Sequence, residues 1–144
     1  MQVTRILTAA LLTLPSIAVA HHAFRSIYDF SRTEKIQGAV VELELVNPHA
    51  FLHIDVTGDG RETARWVIEG PGRLALTRRG WTEDMFAQGE TLTVVGNPSN
   101  IAERALWLEK IVRADGTEVI DPLVADQLAI EEDRRLQIQR SQQQ

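Results

Sequence analysis

Apolar and polar residues alternate along three consecutive stretches of the chain, residues 35–46, 50–57 and 63–69. A period of two is typical of β-strands that bury one face and expose the other, so each stretch predicts a strand. Between the second and third stretches, Gly58-Asp59-Gly60 can supply the positive φ angles of a tight hairpin. Residues 35–69 therefore predict a three-stranded meander.

The pattern changes after the third predicted strand. Pro71 favours the start of a helix and Gly80 favours its end, which predicts a short helix over residues 72–79. Thr82 is placed as an N-cap between Trp81 and Phe86, a pair with the spacing of a hydrophobic staple. This arrangement predicts a second helical turn directly after the first helix.

Two further strands are predicted at residues 91–95 and 105–112, and Asp115-Gly116 predicts a turn into a last short pairing at residues 119–120. An order of three strands, a helix and two strands is that of small five-stranded barrels of the oligonucleotide/oligosaccharide-binding (OB) type. Closing the sheet hides its edges and gives the chain one core. We therefore expect a mainly β fold, with an OB-like barrel domain over residues 21–120 and a short helix between strands 3 and 4.

Residues 121–144 predict a C-terminal helix and a disordered tail. Asp121-Pro122 has the residue types that open a helix, and Glu131 precedes Arg135 by the four residues that favour an ion pair on one helix face. The apolar stripe of this helix is thin, and residues 141–144 are all polar. The helix is the surface through which we expect any protein partner to bind.

The first 20 residues have the three parts of a secretory signal peptide. Arg5 is followed by an apolar run over residues 6–14 and by the small-residue triplet Ala18-Val19-Ala20. The run is shorter than the roughly 20 residues that a bilayer-spanning helix needs, so we expect no membrane span after processing. Cleavage after Ala20 predicts a periplasmic or secreted protein whose first residue is His21.

The composition limits the chemistry that this chain can perform. Its 144 residues fit a single domain, and the absence of cysteine excludes disulfides, thiolate metal sites and thiol nucleophiles. The net charge of −5 argues against nucleic acid, whose phosphates are bound by lysine and arginine. We expect the partner to be a metal ion or another small ligand, and a metal site here would have to use nitrogen and oxygen ligands.

Four histidines occur in two close pairs, His21 with His22 and His49 with His53. A histidine at a free N-terminus offers a metal ion both its amine and its imidazole. One further imidazole completes the three-nitrogen arrangement called a histidine brace. Copper(II) binds nitrogen ligands tightly and accepts tetragonal geometry, so copper is the expected cofactor.

His49 is the first choice for the second imidazole, because it lies at a predicted strand start that the mature terminus can reach. Four strand residues place His53 about 13 Å away between α-carbons, so both cannot comfortably bind one ion. His22 and His53 are the alternates, and Asp55 or Glu69 could supply an oxygen ligand or orient a histidine.

Several of these residues also have a purely structural interpretation. His49 could be a turn residue bonded to backbone, and His53 taken alone is better interpreted as a sheet residue. Glu69 and the arginines beside the short helix could bind an anion, but they favour a solvated salt-bridge cluster: Arg73, Arg78 and Arg79. The tryptophans favour a place in the core over a carbohydrate or aromatic pocket: Trp66, Trp81 and Trp107.

No motif of a nucleophilic or phosphate-binding enzyme is found, and we expect a binding protein rather than an enzyme. The leading hypothesis is a copper carrier, buffer or sensor that uses His21 and His49. The alternative is a metal-free periplasmic ligand- or protein-binding module. A copper-dependent oxidase, similar to braced polysaccharide oxygenases, is the third hypothesis.

Three short motifs occur in order along the chain: Ala20-His21-His22-Ala23-Phe24, Val46-Asn47-Pro48-His49-Ala50, and Arg79-Gly80-Trp81-Thr82 ahead of residues 89–94. With them the chain resembles a family of small exported bacterial proteins that is classed as a domain of unknown function. The resemblance covers roughly residues 18–116 and excludes the charged, glutamine-rich end. It implies an exported β-barrel module and no particular activity.

Overall fold

The computed structural model describes residues 26–142. Its strands are, in chain order, β1 (Glu34–Glu44), β2 (His49–Thr57), β3 (Thr63–Pro71), β4 (Thr91–Pro98), β5 (Ala105–Arg113) and β6 (Glu118–Ile120). A short helix, α1 (Arg73–Thr77), follows β3, and a long helix, α2 (Pro122–Gln142), follows β6.

The first five strands close into a barrel. β1 pairs antiparallel with β2 and with β4, β2 pairs with β3, and β4 pairs with β5. The ring is completed by a parallel pairing between residues 67–69 of β3 and residues 105–107 of β5. This order, with α1 between β3 and β4, is that of the OB type, so the predicted mainly β, OB-like fold is confirmed. β6 pairs with the second half of β5.

The inner faces of the strands and one helix residue form a single core. Its most deeply buried apolar side chains are Ile54, Ile68, Leu76, Leu92, Val94, Leu106 and Ile111. Leu76 comes from α1, so this short helix is anchored to the barrel by one side chain that packs among strand residues. Full burial of a side chain of this kind contributes about 1.5–3 kcal/mol.

The predicted second helical turn is wrong: residues 83–86 form a turn and bends without a helix. The two aromatic residues of the predicted staple do meet, since the Trp81 and Phe86 rings pack edge to face with centroids 5.8 Å apart. In a continuing helix the Gly89 N–H would donate to the Met85 carbonyl. Instead it donates to the Val40 carbonyl of the neighbouring strand at 2.8 Å, and the Met85 carbonyl accepts from Arg113.

α2 begins directly after the fully buried Asp121, whose carbonyl accepts the Ala125 N–H at 2.8 Å. The helix includes Ser141 and Gln142, which we expected in a disordered tail, and the last two residues lie outside the described range. Within residues 26–142, no helix is both long and apolar enough to cross a membrane.

The described chain begins with a segment that lies along the outside of the barrel. Here Tyr28 forms a β-bridge with Ser99, just after β4. The Asn100 N–H donates to the Ile27 carbonyl at 2.7 Å, and the Asp29 N–H donates to the Pro98 carbonyl at 2.9 Å. We call residues 26–29 the N-terminal segment, and these bonds fix its position beside the β4–β5 connection.

Candidate functional site

His49 is the first residue of β2, and its imidazole points away from the core towards the neighbouring strand. Nδ1 of this ring contacts Oε1 of Glu69 on β3. The contact is possible because Phe51, two residues after His49, is the register partner of Glu69, which places His49 and Glu69 diagonally across the strand pair. The His49 side chain is 36% exposed and the Glu69 side chain 18%.

The second oxygen of the same carboxylate is bound by Tyr28. Its hydroxyl donates to Oε2 of Glu69, and the residue is 4% exposed. Burial raises the pKa of Tyr28 well above its ordinary value, and the hydrogen bond and the negative charge of Glu69 raise it further. Tyr28 is therefore a neutral donor that holds one side of the Glu69 carboxylate while His49 holds the other.

Trp107 packs against both of the residues that Glu69 binds. Its ring lies 5.5 Å from the His49 ring, edge to face, and 5.8 Å from the Tyr28 ring, measured between centroids. It is also the register partner of Glu69 in the parallel pairing of β3 with β5. We call these four residues, Tyr28, His49, Glu69 and Trp107, the Glu69 cluster.

The Glu69 cluster determines which nitrogen of His49 can bind a metal. An ionised carboxylate has no proton to give, so Nδ1 of His49 must carry the proton of this contact. In the neutral imidazole the lone pair then lies on Nε2, which is the nitrogen with the chemistry of a metal ligand. A carboxylate that accepts from the second ring nitrogen is the usual partner of a metal-binding histidine, because it fixes the ring and raises its basicity.

The structure does not bring His49 and His53 to one point. Nε2 of His53 contacts Oε1 of Glu44 at 2.8 Å, on the β1 side of the same strand. Each described histidine thus has its own carboxylate. Across residues 26–142 no group of three or more histidine, aspartate or glutamate residues is arranged to hold a metal ion. His21 and His22 lie outside the described residues.

Asp55, the other predicted oxygen donor, is bound to arginine. Its two oxygens accept from Nε and Nη2 of Arg65 at 2.6 and 3.2 Å. The hydrogen bonds from Arg65 lower the pKa of Asp55 below its ordinary value. Of the two carboxylates that the sequence suggested for this site, the structure therefore associates Glu69 with a histidine and Asp55 with a cation.

The remaining sequence candidates have structural partners. Arg73 lies 3.8 Å from Glu83, and Arg79 contacts Asp126 of α2, as a solvated salt-bridge cluster predicts. The tryptophans occupy or border the core as favoured, with Trp81 in it and Trp66 packed against it. Trp107 is also buried, but on the outer side of β5.

A cavity of about 510 Å³ lies beside the Glu69 cluster. Tyr28 and Glu69 form part of its wall, and Val67 and Arg65 of β3 continue it. The β4–β5 connection and the start of β5 also line it, with Ser99 and residues 101–105. In OB-type barrels, ligands bind on the face of strands 2 and 3 and at the β4–β5 loop. The cavity occupies this position.

Sequence reasoning did not identify Tyr28, and it considered Trp107 as a pocket residue but favoured a place in the core. Trp107 stands between Leu106 and Leu108, both of them core residues, so the alternation of β5 places it on the outer face. A large aromatic residue on an outer face needs a cover, which the N-terminal segment supplies. That alternation was a usable signal for Trp107, whereas the sequence held none for the Tyr28–Glu69 bond.

Comparison with known proteins identifies a family. A search of curated proteins found no match to this chain. A family model, described as a family of unknown function (DUF6152), matches residues 10–105, a range that contains the predicted mature start and every residue of the Glu69 cluster except Trp107. Because this match covers well over half of the sequence, the chain belongs to the family of unknown function DUF6152.

Proposed function

We propose that this protein is exported, loses residues 1–20 and binds copper(II) through the new N-terminus. The amine and imidazole of His21 and Nε2 of His49 would be the three nitrogen ligands, and the protein would act as a periplasmic copper carrier, buffer or sensor. Copper(II) is the divalent metal of the first transition row that nitrogen ligands bind most tightly.

The observation that carries this proposal is the contact between Glu69 and Nδ1 of His49. It orients a partly exposed imidazole and leaves the lone pair on Nε2. His53 also contacts a carboxylate, through Nε2, but the Glu44 side chain is 43% exposed, whereas the Glu69 side chain is 18% exposed and is also held by Tyr28. His49 is therefore the preferred second histidine, with His22 and His53 as the alternates.

The length of the chain between His21 and the N-terminal segment permits this ligand set. His21 precedes Tyr28 by seven positions; residues 26–27 are helical, and the five positions from His21 to Ser26 span about 17 Å when fully extended. Tyr28 and His49 both pack against the indole of Trp107 and both contact the carboxylate of Glu69. The reach of the chain therefore exceeds the separation that it has to cross.

The test begins with protein expressed through its own export route. Intact mass should give a chain that starts at His21 and keeps one copper ion after one equivalent is added. Affinity should fall as the pH drops, because imidazole and amine nitrogens must lose their protons to bind a metal ion.

His49→Ala and His53→Ala form the matched pair for the second imidazole. We expect His49→Ala to abolish tight binding and His53→Ala to keep it. The reverse result would move the site to His53, and loss in neither variant would favour His22. No copper uptake by correctly processed wild-type protein at neutral pH would refute the proposal.

A metal-free ligand-binding module is the second candidate function, and the cavity beside β3 favours it. Its volume of about 510 Å³ is within the range of about 300–1,000 Å³ that is typical of small-molecule sites. In this case Val67→Trp, which would fill the cavity, should abolish ligand binding while His49→Ala leaves it intact. A ligand lost on His49→Ala would count against this candidate.

Copper-dependent oxidation would instead appear as peroxide-driven turnover by the copper-loaded protein.

A further inference from the structure

Tyr28 is held in two independent ways. Its backbone forms the bridge with Ser99, and the carbonyl of the preceding residue, Ile27, accepts from the Asn100 N–H. Its side chain reaches across to β3, where the hydroxyl donates to Glu69. One residue thus connects the point where the N-terminal segment joins the barrel with the carboxylate that orients His49.

We propose that Tyr28 is the positioning residue of the His49 site: its hydroxyl holds Glu69 on Nδ1 of His49, and its backbone fixes the N-terminal segment on the barrel. The part that concerns metal binding rests on the proposed function. The part that concerns the tautomer of His49 does not, because it can be measured without any metal.

The geometry gives the hydroxyl a specific effect. Glu69 uses one oxygen for Tyr28 and the other for His49, so two donors on opposite sides fix its carboxylate. Without the phenol hydroxyl, one oxygen of a side chain that is already 18% exposed would turn to water. The carboxylate would then be held from one side only, and the proton of the neutral His49 ring could move from Nδ1 to Nε2.

Tyr28→Phe isolates this effect from packing. The phenyl ring keeps the contact with Trp107, while the hydroxyl alone is removed. Glu69→Gln is the second variant, because an amide can donate to Nδ1 and so permits the other tautomer. Glu118→Gln serves as the matched control, since Glu118 pairs with Lys110 on β5 at 2.8 Å, away from the Glu69 cluster.

The metal-free readout is the nitrogen-15 spectrum of the His49 ring at a pH where it is neutral. We expect a single Nδ1–H tautomer in the wild type and in Glu118→Gln, and a mixture of both tautomers in Tyr28→Phe and Glu69→Gln. A Tyr28→Phe protein that melts at a lower temperature but keeps the Nδ1–H tautomer would show a merely structural residue and overturn the inference.

The metal readout is the copper(II) dissociation constant, measured by competition with a chelator. Loss of the carboxylate that orients a metal-binding histidine costs about 10- to 100-fold in affinity, so we expect this increase in Glu69→Gln and a smaller, measurable increase in Tyr28→Phe, which keeps the carboxylate. Ser99→Ala removes a hydroxyl that donates to the Ile27 carbonyl at 3.2 Å. Ser99→Ala should weaken copper(II) binding without changing the tautomer of His49. An unchanged dissociation constant would overturn the inference that the bonds to Ser99 position the N-terminal segment for metal binding.

The two proposals fail in different ways. If wild-type protein binds no copper, the proposed function is refuted, and the tautomer measurement still decides whether Tyr28 positions His49. If copper binds tightly and Tyr28→Phe changes neither the tautomer nor the dissociation constant, the proposed function stands and the positioning role is refuted.

Discussion

The chain has a single tyrosine, and its ionisation tests the buried bond to Glu69 directly. An ordinary tyrosine, with a pKa of about 10, is about 90% ionised at pH 11. Burial and the Glu69 carboxylate raise the pKa of Tyr28, and the residue is 4% exposed. In the folded protein we therefore expect no tyrosinate absorbance at pH 11, and its full appearance when the protein unfolds.

The same shift has a consequence for stability. Because the pKa of Tyr28 is higher in the folded than in the unfolded state, its contribution to stability is fully present below about pH 10 and is lost as the pH rises towards the folded-state value. From pH 10 to 11 this loss is about 1 kcal/mol of unfolding free energy for one group. Tyr28→Phe has no phenol proton to lose, so the wild type should lose about 1 kcal/mol more than this variant over the interval.

Ultraviolet titration gives the first quantity and urea denaturation at each pH gives the second. Protein unfolded in urea is the internal control, and its tyrosine should titrate at about pH 10. The reasoning is refuted by a tyrosinate signal with that ordinary midpoint in protein whose circular dichroism is still native. It is also refuted if the wild type and Tyr28→Phe lose stability in parallel.

Three further predictions concern the barrel that carries the site. Ile54→Ala should lower the free energy of unfolding by about 2–5 kcal/mol, because Ile54 is fully buried. The control, Ile101→Ala, changes a residue that is 73% exposed and should alter this free energy by less than about 0.5 kcal/mol. Urea denaturation measures both. Gly96→Ala should destabilise the protein and shift Trp107 fluorescence, because the added Cβ would collide with the Trp107 carbonyl oxygen; an unchanged emission spectrum would contradict this. Hydrogen bonds from Thr117 lower the pKa of Asp115 below its ordinary value of 3.8. The contribution of Asp115 to stability is therefore present above pH 3.8 and is lost as the pH falls through the lowered pKa. Asp115→Asn should flatten the acid side of the plot of melting temperature against pH.

Most of the barrel could be predicted because strand alternation and turn residues are local signals. Each predicted strand is present, with ends that differ by up to three residues, and Asp115-Gly116 does lead into a last pairing. The failure at residues 82–86 is different in kind. Thr82 has the chemistry of a helix start, but hydrogen bonds with β1 and with Arg113, far away in the sequence, take the groups that a helix would use.

The candidate site was predictable only in part for the same reason. Glu69 was identified as a residue that could orient a histidine, and it does contact His49. The contribution of Tyr28 depends on a β-bridge to Ser99, which lies 71 positions further along the chain. It also depends on the hydrogen bond that the Tyr28 hydroxyl donates to Glu69 on β3. No periodicity or motif encodes a contact of this range, so it becomes visible only in the folded structure.

The proposed site also makes export and metal binding depend on the same cut. Before cleavage the nitrogen of His21 is an amide and is a poor ligand, and only hydrolysis after Ala20 turns it into an amine. We therefore expect a mature protein with an extra Gly-Pro dipeptide ahead of His21 to lose tight copper(II) binding, because the new terminal amine is no longer on a histidine and the proline has no backbone N–H that copper could displace. A Gly-Pro dipeptide added after Gln144 is the matched control and should bind like the wild type. Equal affinity of the two variants would show that the terminal amine is not a ligand and would leave the imidazoles alone to account for any binding.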